Sequence, residues 1–479
     1  MSQQVDVVVV GSGAAGLTAA LTARAGGARV IVAESETVVG GATRLSGGLV
    51  MAAGTDLQEG VQRPDDPAAF YQDYMLFNQL KLKPSLVRRY TYDSAGTIDW
   101  LREIGVRFQP FVPRGGVESV PRAHMVNGTP IGGGQHLVDV LSQRCREQDI
   151  DIALGRRVDH LLVDGDVVGG VAVGGDELEA GAVVLATGGF GANRELVAKH
   201  LPSIARHGDG WGFYIGPESS RGDGLALAAQ VGASTVGHDR CISVVSPKLG
   251  TRDFTNYLPA WMLVVGPDGR RICDESTSHL NSGLAQDLGG VIFGIFDSRS
   301  LAENGSADLP TLKRLEGTPP EWPTGASLWT PDSMKAMIAS GLIVEAQTLD
   351  ELADRLGIAR DATVGTVARY NGSAALGVDR DFLKEPRFVR PVEKPPFYGF
   401  ECRAAVVGVT GYGIEIDETG QVLDGMSRGI PGLYAAGECI GGVVGSHYIG
   451  SGESLSACLT FGRIAGGSAA TYALDGVTS

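Results

Sequence analysis

The chain has 479 residues, enough for two or three domains and a sizeable core, and its 55 acidic against 40 basic side chains give a formal net charge of −15. That balance argues against nucleic acid or an anionic membrane surface as a partner, and no stretch reads as a membrane span. Six cysteines without CxxC spacing and eight histidines without an HxH or HExxH pair predict free thiols in a reducing cytoplasm and no metal site.

The chain opens on Val5 to Val10, a β-branched run of strand length, which breaks into Gly11-Ser12-Gly13-Ala14-Ala15-Gly16 before an alanine-rich helix ending near Gly26. A second strand, Arg29 to Ala33, delivers Glu34 and Ser35. This is a complete βαβ dinucleotide motif, in which Gly11 turns tightly, Gly13, Ala14 and Ala15 offer backbone N–H groups to a pyrophosphate, and Gly16 lets helix meet strand. Glu34 stands where a ribose hydroxyl is read. Because this apolar opening carries the glycines of a βαβ unit and lacks a basic leader, it is expected to be core and not a signal peptide. Next comes a glycine-dense loop in which Gly41, Ala42, Thr43, Ser46, Gly47 and Gly48 could run under a flat cofactor.

Helices are predicted over 67–80 and 84–104, with Tyr90, Tyr92 and Trp100 as packing residues. A Gly/Pro-rich loop over 106–134 contains Arg122 and His124, and a helix follows over 135–148. Strands near 151–154 and 158–173 and the run Ala182 to Gly189 return the chain to the nucleotide sheet, with Val158, Thr187, Gly188 and Gly189 against the cofactor and Asn193 and Asp223 beyond them. From about residue 236 the character changes: three of the five tryptophans, a turn at Gly266-Pro267-Asp268-Gly269 and helices near 331–340 and 349–356 suggest an inserted domain. The expected architecture is α/β, a Rossmann-like dinucleotide domain over 1–235 and 389–479 interrupted by a smaller α+β capping domain over 236–388.

Near the end, Gly432-Leu433-Tyr434-Ala435-Ala436-Gly437-Glu438 reads as a buried strand ending in an acid. FAD has a ribitol chain for such a group to hold and NAD has none, so the expected cofactor is FAD, bound non-covalently. A second GxGxxG with its strand and acid is absent, which excludes a plan with a separate nicotinamide domain and calls for an external electron acceptor. Ser454 is a good N-cap for a last helix running from Leu455, whose positive end would lie beside the flavin.

Over nearly its whole length the chain resembles the family of FAD-dependent fumarate reductases and 3-ketosteroid dehydrogenases. The residues that carry this are GSGAAG at 11–16, Gly40-Gly41-Ala42-Thr43, Arg122-Ala123-His124, Gly269 to Glu275, Lys394 to Tyr398, Tyr434 to Glu438 and Phe461 to Gly466. The resemblance implies an active site between the flavin domain and a cap. The fumarate reductases carry a substrate-binding arginine where Tyr448 stands, a histidine near Gly408 or Val409 and a proton-donating arginine where His279 stands, and this chain keeps none of them. The ketosteroid branch has a tyrosine four residues before a glycine, whose hydroxyl and N–H bind the ketone oxygen, as Tyr448 and Gly452 would here. That branch has a tyrosine base where His279 stands.

The implied reaction introduces a C=C bond next to the ketone of a 3-oxosteroid or smaller cyclic ketone. His279 would take the α proton, with Tyr257 or the Tyr71 region as the alternative base, and the β hydride would go to flavin N5. A second expectation is a reductase of an α,β-unsaturated acid, with Arg122 and His124 at the substrate carboxylate; for Arg122 a salt bridge is the rival role. A third is a flavin redox switch without catalysis.

Overall fold

The computed structural model describes residues 5–59, 65–127, 133–208, 210–249, 258–277, 280–306, 308–314, 316–319 and 327–475. The chain divides into two compact units, the first made of Met1–Leu201, Gly216–Ile242 and Gly408–Ser479, the second of Pro202–Ile215 and Ser243–Val407.

The first unit is built on a sheet whose strands run in the order Gln421–Leu423, Gly429–Ala435, Asp176–Leu185, Val5–Val10, Val30–Ala33 and Asp151–Ala153. All neighbours are parallel except the first pair, and Val7 sits in register with Val30 on one side and Ala182 on the other. A central parallel strand is covered on both faces, which is why Val5–Val10 is an unbroken apolar run and every residue of it is buried. His160–Asp164 and Val167–Val173 extend the N-terminal part of Asp176–Leu185 as an antiparallel meander.

The opening helix Ala14–Ala25 lies against the last helix, Glu453–Asp475. Their approach is close because the contact is made of backbone and methyl groups: a Cβ on Gly462 would sit 2.5 Å from Ala15 O, and one on Gly466 2.7 Å from Ala19 Cα. Helices Pro67–Phe77, Pro84–Glu103 and Gly133–Glu147 form where the sequence pattern places them. Asp66 caps the first of these, accepting from Ala68 N and Ala69 N at 2.7 and 2.8 Å, with Pro67 at the position where a missing N–H costs nothing. Phe70, Tyr74 and Tyr90 meet edge-to-face at centroid separations of 5.4–6.1 Å.

The second unit is built on most of a sheet ordered Cys241–Ser246, Phe397–Thr410, Val291–Asp297 and Leu263–Val265, with Val344–Ala346 and Phe213–Tyr214 also on the long strand. The turn at Gly266 to Gly269 closes Leu263–Val265 onto Arg271. Glu275, fully buried, accepts from Arg271 at 2.8 Å and pairs with Lys384 at 3.1 Å, while Arg271 also reaches Asp379 at 2.8 Å. Each charge in this group has a counter-charge, the condition for keeping ions out of water. Helix Arg360–Leu376 was not expected from the sequence, where Gly365 and Gly372 interrupt any apolar stripe. No helix among the described residues is long and apolar enough to cross a membrane.

Candidate active site

A cavity in the first unit is lined by the opening turn, Gly11, Ser12, Gly13, Ala14 and Ala15, at the N-terminus of the first helix. Gly11 has φ +107°, and a Cβ there would lie 2.9 Å from Ala186 C and closer still to its oxygen, so only glycine makes this turn. Glu34 and Ser35 line it too. The Glu34 carboxylate is fixed by Ser12, whose N and Oγ donate to Oε2 at 2.8 and 2.5 Å, and by Glu36 N at 2.8 Å and Ser35 Oγ at 3.2 Å on Oε1. Gly41, Ala42 and Thr43 form a wall, with Thr43 Oγ1 accepting from Ala14 N at 3.0 Å. Val158, Thr187, Gly188 and Asp223 line the cavity too, Asp223 being paired with Arg157 at 2.6 Å. Glu438 and Cys458 complete the lining. Thr410 N and Oγ1 both donate to Glu438 Oε1, at 2.8 and 3.0 Å, and burial, only partly offset by these bonds, raises the acid above its ordinary range.

Other residues predicted for the cofactor stand behind this lining. Gly16 packs on the Gly11 turn, and Gly48 and Gly134 let the Gly41–Leu45 turn close, with Ser46 Oγ donating to Thr43 O at 2.8 Å next to Gly47. Gly189 makes room for Glu438, whose carboxyl carbon lies 2.6 Å from where a Cβ would be. Asn193 caps helix Arg194–His200 through Glu195 N and Leu196 N.

A glycine-walled cavity with a helix N-terminus and two acids, Glu34 and Glu438, in its lining has the donors and acceptors that FAD needs, N–H groups for its phosphates and carboxylates for its hydroxyls. Those hydrogen bonds and the helix N-terminus account for binding without a covalent link. Denaturing the holoprotein in acid is therefore expected to release all of the FAD into the supernatant; flavin that precipitated with the protein would contradict this.

A second group of polar side chains lies in the same unit around Tyr448 to Glu453. This segment pairs with residues 115–117: Val117 N donates to Ile449 O at 2.7 Å and Ser451 N to Gly115 O at 3.0 Å. Gly452 has φ +107° and packs on Leu49 and Val50, and its oxygen accepts from Met51 N at 3.3 Å and Ser456 N at 3.0 Å. Tyr448 is half-buried; Ser454 and Leu455 lie in the first turn of the last helix, which starts at Glu453. Tyr90 Oη donates to the Glu453 backbone oxygen at 3.2 Å and Tyr74 Oη to Val443 O at 3.1 Å. Burial first, then the nearby Glu453, pushes both phenols well above 10.

Arg122 and His124 belong to this neighbourhood and are engaged by the protein. Arg122 is 0% exposed; its Nε and Nη2 donate to Asp65 at 2.9 and 2.7 Å and its Nη1 to Asp73 at 2.7 Å. His124 meets Thr55 Oγ1 at 2.7 Å through Nε2 and Arg122 O at 2.8 Å through Nδ1, and burial takes it down to about 4, so it is neutral near pH 7. His279 and Tyr257 lie outside the described residues.

Two acids that the sequence did not single out are here as well. Glu118 accepts from Gly115 N and from Gly116 N, and burial lifts it to about 7; Glu453, 0% exposed, is lifted to about 8 by burial, opposed by bonds from the backbone and raised further by Glu118. The available signals were slight, a glutamate inside a Gly/Pro-rich loop and another directly after Gly452.

The FAD binding domain family matches residues 6–247 and 263–455. A fumarate reductase (cytochrome) of Shewanella frigidimarina is 32% identical over 98% of this chain and 77% of its own. Among solved structures, the open conformation of a flavocytochrome c3 fumarate reductase aligns with TM-score 0.68 and 28% identity over 99% of this chain and 79% of that one. The 3-ketosteroid-delta4-(5alpha)-dehydrogenase of Rhodococcus jostii RHA1, in complex with 4-androstene-3,17-dione, aligns with TM-score 0.78 and 26% identity over 98% of each chain. The chain thus belongs to the FAD binding domain family, and it is an FAD-dependent oxidoreductase acting on carbon–carbon unsaturation.

Proposed function

We propose that the chain dehydrogenates the carbon–carbon bond next to a ketone, in a 3-oxosteroid or a smaller cyclic ketone. The observation that carries this reading is the state of Arg122: the one arginine that the sequence offered for a substrate carboxylate is buried between Asp65 and Asp73. A cation neutralised by two acids has little attraction left for a third. A ketone needs no cation, only hydrogen-bond donors for its oxygen, and the segment from Tyr448 to Gly452 has the spacing for a hydroxyl and a backbone N–H.

In this reading Tyr448 Oη and Gly452 N hold the ketone oxygen as it gains charge, and His279, or Tyr257 in its place, accepts the α proton. Bound FAD supplies the acceptor for the β hydride. The electrons then pass to an external acceptor, and six free thiols support the cytoplasm as the compartment.

The 32% identity to a fumarate reductase supports a second reading, reduction of an α,β-unsaturated acid. An anaerobic panel separates the two. Under the first reading, a 3-oxosteroid or a cyclohexanone-type ketone bleaches the oxidised flavin. If no ketone does so and an enoate reoxidises the chemically reduced flavin, the ketone reading is replaced by the second.

A further inference from the structure

We propose that Glu453 is a positioning residue for this reaction: its carboxyl fastens the segment from Tyr448 to Gly452, and its ionisation impairs the donors which that segment presents. The proposal rests on the ketone reading. It starts from a side chain that the reaction as drawn above does not use.

Glu453 Oε2 accepts from Ile449 N at 2.9 Å, reaching back from the first turn of the last helix into the segment that carries Tyr448. The carboxyl is 0% exposed, and among the described residues no lysine, arginine or histidine forms an ion pair with it. Burial without a cation favours the neutral form of an acid. Burial and Glu118 hold it neutral against the backbone bonds at Ile449 and Gly450 and the Tyr74 hydroxyl, which favour the charged form. Helix Pro67–Phe77 brings Tyr74, helix Pro84–Glu103 brings Tyr90, the segment's own residue is Tyr448, and the loop over 115–118 brings a second acid, Glu118. The strand Leu49–Met51, also against this helix, brings only apolar side chains. The nearest cations serve other acids: Arg122 is held by Asp65 and Asp73, and Arg114 acts on Glu118.

Glu118 mirrors Glu453 across the paired backbone. It accepts from Gly115 N and Gly116 N while Gly116 pairs with Gly450, so the two carboxyls brace the two sides of one short ladder. Glu118 is also the charge that opposes ionisation of Glu453. A negative charge at Glu453 would stand beside the site where, in the ketone reading, the substrate oxygen becomes an enolate, and it would oppose that charge directly. With the acid neutral, the fastening to Ile449 N remains and the opposing charge is gone.

The test uses the FAD-loaded protein, a ketone that bleaches its flavin and an artificial acceptor. Turnover of the wild type should fall as pH rises through about 8, and one unit above that midpoint, where about a tenth of the acid is still neutral, it should be about tenfold below the plateau. In Glu453→Gln, which cannot ionise, this alkaline limb should vanish, whatever the plateau rate. In Glu118→Gln the limb should move to lower pH, because the opposing charge has been removed. A readout independent of substrate accompanies these. Glu453 loses its proton near 4.5 when unfolded and near 8 when folded, so the unfolded chain binds fewer protons in that window and stability falls with rising pH. The melting temperature of Glu453→Gln should therefore gain on the wild type progressively from about pH 4.5 to about 8.

An alkaline limb unchanged in Glu453→Gln, with Tyr448→Phe strongly impaired, overturns the positioning role and leaves the ketone reading standing. Full turnover by Tyr448→Phe removes the ketone reading and this proposal with it. A melting difference that does not vary with pH shows that Glu453 is not held neutral, and overturns the proposal by itself.

Discussion

Tyr448→Phe is expected to lower turnover with a ketone about 100- to 1,000-fold, the loss typical of removing one donor from a site where charge develops, or about 3–4 kcal/mol of transition-state stabilisation. The hydroxyl is assigned to the oxygen that becomes an enolate, so its bond strengthens as the α proton leaves and contributes less in the ground state. kcat and kcat/KM should then fall together, with KM changing little. Tyr448 is not part of the lining of the dinucleotide cavity, so FAD content should stay at the wild-type level. A phenylalanine variant that turns over at a near-normal rate would mean that the ring only packs.

Gly16→Ala should abolish flavin binding, and the variant should purify colourless or not at all. A Cβ at this position would lie 2.9 Å from Gly11 C and nearer to its oxygen, and 3.4 Å from the Ala186 methyl. The first obstacles are backbone atoms of the dinucleotide turn, which cannot swing aside as a side-chain tip would. The helix cannot retreat either, since its far side is held at backbone distance by Gly462 and Gly466. One inserted methyl usually costs about 1–3 kcal/mol in a packed core, and here the expected cost lies above that range because relief must distort the turn itself. Gly169→Ala is the control: it has nothing within 4 Å, has no positive φ and should remain yellow. The ratio of flavin to protein absorbance measures both. Wild-type flavin content in Gly16→Ala would refute the argument.

The opening βαβ unit was legible because each of its positions answers one local demand: positive φ at Gly11, bare backbone at Gly16, an acid at the end of the second strand at Glu34. The strand Gly429–Ala435, which leads to Glu438, was legible for the same reason. Helix Arg360–Leu376 was not, because its stability comes from partners such as Val367 and Tyr370 in a core that the local pattern does not show. Arg122 was recognised as a residue to watch, yet whether it faces a substrate or two aspartates depends on Asp65 and Asp73, which lie 57 and 49 positions away. Glu118 and Glu453 were hidden more deeply, since a glutamate reads as surface until the fold closes over it.

The packing of the first helix on the last also sets an order of events during synthesis. The nucleotide turn leaves the ribosome well before the glycine face of Glu453–Asp475 that covers its helix, and before Glu438 and Cys458, which also line its cavity. At about 5–20 residues per second the apolar side of Ala14–Ala25 waits on the order of a minute for its partner. Throughout that time the nascent chain lacks its finished cofactor cavity, so FAD capture must wait for these later segments. A chain cut short before Glu453 would leave that face uncovered, a substrate for chaperones and proteases.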